Sequence, residues 1–112
     1  MTFTACCYRQ SVVMKTILKQ IPGLTDEQMQ EAASLDMQRH GIVTEMSVLS
    51  GRLQKFGASV GLRMQWASLN HDAITMYRRI VTWCEGIGPC ADAAKAEAAE
   101  MVEEIEQRLG AA

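Results

Sequence analysis

With 112 residues, 48% apolar and 21% charged, the chain has the size and composition of a single globular domain with a modest core, not of a disordered or membrane-spanning chain. Its net charge of −2 is unevenly divided: residues 1–63 hold seven Lys/Arg against five Asp/Glu, giving +2, and residues 64–112 hold four against eight, giving −4. An acidic pole repels phosphate backbones, which argues against direct nucleic-acid binding and suits a basic protein surface.

No apolar run approaches the roughly 20 residues that a bilayer crossing requires. The opening stretch MTFTACCYRQSVVMK lacks the basic flank, continuous apolar segment and small-residue cleavage site of a secretory signal. The expected setting is therefore a reducing cytoplasm, with no membrane association and with the four cysteines as free thiols.

In chain order, Ala5–Gln20 reads as a first helix, because Cys6, Cys7, Val13, Met14, Ile17 and Leu18 recur at helical spacing. Pro22 and Gly23 end it. Thr25 then opens a second helix as N-cap, with Gln28 completing a capping box, Asp26 and Glu27 favouring the positive end of the dipole, and Leu24 placed to staple onto Met29. Gly41 is a plausible stop, unless the helix runs through it.

Ile42, Met46, Leu49, Leu53, Phe56, Val60 and Ala67 step by four, three and seven, a heptad seam with Arg63 in its one polar place. Gly57 and Gly61 form a G-x-x-x-G that permits close helix crossing. From Leu62 onward a second stripe appears: Leu62, Trp66, Leu69, Ala73, Met76, Ile80 and Trp83. Residues 42–84 read as one helix or as two, with Asn70 as a possible N-cap between them. Two stripes make a face too wide for one antiparallel neighbour, so the segment is either the central helix of a bundle or part of an oligomer interface, and a homodimer through Leu62, Trp66, Leu69, Met76, Ile80 and Trp83 is expected.

CEGIGPC, residues 84–90, lacks the lysine and hydroxyl of a phosphate loop. Zinc held by Cys84, Cys90 and the vicinal Cys6–Cys7 would lack the usual knuckle spacing, whereas a Cys84–Cys90 disulfide is sterically easier. The simplest reading is a turn between helices, with Gly86 as cap, Gly88 as a flexible residue and Pro89 starting the next helix. The last helix follows, with Ala91, Ala94, Ala98, Met101, Ile105 and Leu109 along one side and Glu97, Glu100, Glu103 and Glu104 forming an acidic surface for a partner.

The whole is predicted to be one all-α domain spanning residues 1–112, an antiparallel helical bundle or long helical hairpin of four to five helices. No catalytic constellation, cofactor motif or metal-ligand set is visible, since Asp36 with His40 lacks further ligands and Arg78 with Arg79 point apart on a helix. The expected function is stoichiometric binding of another protein, as in a regulator, adaptor or chaperone. The alternatives are an inhibitor of phage or mobile-element origin whose acidic last helix blocks a basic groove, and a thiol-redox, metal or small-ligand sensor using the cysteines or the arginine pair.

Overall fold

The computed structural model describes residues 14–111, and these form an all-helical fold. Three α-helices are present among them, α1 (Asp26–Phe56), α2 (Val60–Ile87) and α3 (Asp92–Ala111), with 3-10 turns at Leu18–Gln20 and Pro89–Ala91. The count is lower than four to five because the second helix absorbs a predicted break and the predicted first helix is not seen where it can be checked. Most of Ala5–Gln20 lies outside the described residues. Within it, residues 14–17 are not helical, and only Leu18–Gln20 make a turn.

The start of α1 follows directly from its sequence. The Thr25 hydroxyl accepts the Gln28 N–H at 3.2 Å, and Gln28 Oε1 accepts the Thr25 N–H at 2.9 Å, so two amides at the helix end are satisfied reciprocally. The helix then runs straight through Gly41 and Gly51, because the loss of about 1 kcal/mol per glycine is outweighed by burial of Ala32, Leu35, Met46, Leu49 and Leu53 along the same rod.

The chain reverses at Gly57-Ala58-Ser59, not at Asn70. Gly57 caps α1 at φ +84° and ψ 173°, a conformation available essentially to glycine alone, and the Ser59 hydroxyl accepts the Leu62 N–H to cap α2. Asn70 has no capping role: it is fully buried in mid-helix, and its Nδ2 donates to the Trp66 carbonyl one turn back at 2.7 Å. The predicted seam therefore fails at its centre, since Phe56 and Val60 lie on either side of the reversal and are 68% and 70% exposed. The Gly57–Gly61 spacing marks a helix end and a helix start, with no helix crossing between them.

Helices α1 and α2 form a long antiparallel hairpin. Trp83 Nε1 donates to Glu31 at 3.3 Å and Arg79 to Gln38 at 3.0 Å, so the end of α2 lies beside the start of α1. A second reversal at Gly88 (φ +108°) and Pro89 sends α3 back along α2, with Ala91, Ala94, Ala98, Met101 and Ile105 buried. The small alanines let the two backbones approach closely. Gly86 remains inside α2, and Gly88 is the residue that caps it.

At 1.5 Å per residue, α1 and α2 are about 46 and 42 Å long and α3 about 30 Å. The hairpin therefore overhangs α3, and the molecule is elongated at 49 × 20 × 18 Å. The core runs along α2, where Trp66, Ala73, Met76, Tyr77, Ile80 and Cys84 are buried, and it is widest in the three-helix half. No helix among the described residues is long and apolar enough to cross a membrane.

Candidate functional site

Residues 14–21 form a belt between α1 and α3, held at both edges by carboxylates. On the α1 side, Asp36 accepts the backbone N–H groups of Leu18 and Lys19 at 3.0 and 3.1 Å and pairs with Arg39 at 3.3 Å. Arg39, only 9% exposed, donates in turn to the carbonyls of Met14 and Thr16 at 3.2 and 3.0 Å. On the α3 side, Glu97 accepts the Lys15 N–H at 2.8 Å, the Thr16 N–H and the Thr16 hydroxyl. Non-helical backbone at a bundle surface has unpaired amides and carbonyls, and these three side chains supply the missing partners. Partial burial pushes the Glu97 carboxyl up, but the Thr16 and Lys15 hydrogen bonds and the nearby Arg39 charge together bring it below the ordinary range.

These roles change the reading of the acidic surface. Glu97 is a structural anchor, Glu104 is half-buried and paired with Arg108 at 3.6 Å, and Glu100 and Glu103 remain exposed. Sequence pattern could not separate the four, because Glu97 differs from its neighbours only in facing a segment 81 to 82 residues earlier in the chain. Asp36 likewise faces the belt, while His40 is exposed. Among the described residues, no three His, Cys, Asp or Glu side chains gather at one point.

Arg78 and Arg79 do diverge. Arg78 pairs with Glu106 on α3 and Arg79 with Gln38 on α1, so the two tie α2 to both neighbours. CEGIGPC is a helix-to-helix turn, with Cys84 and Cys90 as free thiols. Cys84 is buried, and burial raises its thiol against a smaller opposing effect of Lys95, which keeps it protonated; Cys90 is exposed. Cys6 and Cys7 lie outside the described residues.

The second stripe is covered within one chain. Trp66, Met76 and Ile80 are 2% exposed or less, and Leu62, Leu69 and Trp83 are half-buried against the same core. These six residues therefore do not form a bare face that needs a second copy to cover it, because α2 packs against both α1 and α3. That packing follows from the break at Gly57, which folds α1 onto the stripe that one continuous helix would have left bare.

The uncovered apolar surface is elsewhere, on the overhanging tip of the hairpin. Val48 and Phe56, two turns apart on α1, are 60% and 68% exposed, and Val60 and Met64, one turn apart on α2, are 70% and 68% exposed. Between the helices lies a groove of about 620 Å³ with Leu49 and Leu69 among its walls, Glu45 and Asp72 toward the three-helix half, and Arg52 toward the tip. Phe56 and Val60 were legible as apolar positions of the seam, but their exposure depended on where the chain turned. Compared with known protein families, curated proteins and solved structures, the chain matches none.

Proposed function

We propose that this chain acts by stoichiometric binding of a protein through the tip of the α1–α2 hairpin, with no chemistry of its own. The observation that carries this reading is the overhang: Val48 and Met64 stand exposed in the walls of one groove between the two helices, and Phe56 and Val60 stand exposed at the reversal beyond it. Contiguous apolar surface of this kind, bordered by charge, is what a protein interface uses. Met64, in the wall of the groove, adds a side chain that adapts to a partner's shape.

A photo-crosslinking amino acid placed at Val48 in the native cell is the direct test, with the same residue at Ala99 on the exposed side of α3 as control. A discrete protein adduct from Val48 and none from Ala99 is the expected result. Equal, diffuse labelling from both positions would overturn the reading.

A further inference from the structure

The tip groove has two electrical ends. Glu45 on α1 and Asp72 on α2 face each other across the end nearest the three-helix half, and Arg52 stands two turns farther along α1 from Glu45. Residues 50–65, which form the tip itself, carry Arg52, Lys55 and Arg63 and no acidic side chain. Among the described residues, Glu45, Arg52 and Asp72 make no ion pair within the chain. The apolar residues Val48, Leu49, Met64 and Leu69 lie between the two ends.

We infer that this groove docks onto the same groove of a second copy of the chain, the two tips packing antiparallel about a two-fold axis that crosses α1 between Val48 and Leu49. The inference rests on the reading of the tip as a protein-docking surface and names its partner. Such an axis exchanges position 45 with position 52, because the two are equidistant from its midpoint. Each copy then sets its acidic end, Glu45 with Asp72, against Arg52 of the other, and Val48 meets its own counterpart over the groove floor. A self-complementary patch of this kind is what a two-fold contact demands. A partner of uniform charge would satisfy one end of the groove and oppose the other.

The result at the contact is a four-helix arrangement in which each bare pair of helices supplies what the other lacks. The face is short, about 20 Å along α1 from Thr44 to Phe56. It therefore falls at the small end of specific interfaces, and the dimer is a weak one, with a Kd on the order of micromolar.

The test uses the purified full chain in sedimentation equilibrium from 1 μM to 1 mM, as the wild type, as Glu45→Arg and as Arg52→Glu. These side chains are exposed, and circular dichroism verifies that each variant is folded. The wild type is expected to rise from 12.4 kDa toward twice that mass with concentration. Each variant alone sets like charges together and associates at least about tenfold more weakly. An equimolar mixture of the two restores opposite charges at both ends and recovers association near the wild-type level. Should either variant fail to fold, Glu45→Gln and Val48→Glu replace it, each expected to weaken the dimer.

A wild type that stays at 12.4 kDa to 1 mM, or a mixture no better than its components, overturns the inference. If the Val48 crosslinker then captures a different polypeptide, the docking surface stands and the second copy does not; if it captures nothing, both fall.

Discussion

Single side chains on this molecule mostly fasten one element to another, and the clearest case is Glu97, which ties residues 15 and 16 to α3. Its carboxyl is held below its ordinary value of 4.5, so the unfolded chain takes up a proton at a higher pH than the folded one. The stabilisation is fully present above about pH 4.5 and is lost as pH falls through the lower, folded value. Glu97→Gln is expected to cost about 1 to 3 kcal/mol at pH 7, since a neutral amide replaces a charged acceptor. The gap between variant and wild type should narrow as the pH falls below 4.5. Chemical denaturation of both proteins at several pH values measures this, and a gap that stayed constant with pH would remove the carboxylate from the account.

At the scale of the element, the same residue type has opposite effects according to backbone geometry. Gly57 sits at φ +84°, where a side chain is strained, and Gly41 sits inside α1 with no atom within 4 Å of an added Cβ. Gly57→Ala is expected to destabilise by about 1 to 3 kcal/mol, and Gly41→Ala to stabilise by up to about 1 kcal/mol. Urea titration of the two variants checks both signs. The capping box at Thr25 and the periodicity of α3 were legible in the sequence because each depends on residues a few positions apart. The reversal at Gly57 was not, because Gly41, Gly51, Gly57 and Gly61 look alike until the pairing of α1 with α2 selects one of them as the bend.

For the molecule as a whole, stability is expected to be graded along its length. The three-helix half contains Tyr77, Ile80, Cys84 and Ile105, all nearly inaccessible, whereas the tip between Gln54 and Gln65 has no buried residue. Local opening is least costly where little apolar area is covered. Amide hydrogen exchange should therefore be slowest across residues 73–84 and fastest, among helical residues, near residues 55–65. Uniform protection along the hairpin in dilute protein would contradict this grading. Slowing at the tip as concentration rises is the signature expected of tip-to-tip pairing.

The sequence by itself determined the all-helical class, the start of α1, the Cys84–Cys90 turn and the buried face of α3, because apolar periodicity and capping are local properties of the chain. It also held the second stripe on α2, yet not what covers it. Only the tertiary structure decided that α1 and α3 close over Trp66, Met76 and Ile80, that Glu97 and Arg39 hold the belt of residues 14–21, and that Val48 and Met64 are left bare. The reason is physical: an apolar side chain is equally ready to be buried against any helix, and which one reaches it depends on relative helix lengths and on the position of the bend, neither of which a local pattern contains.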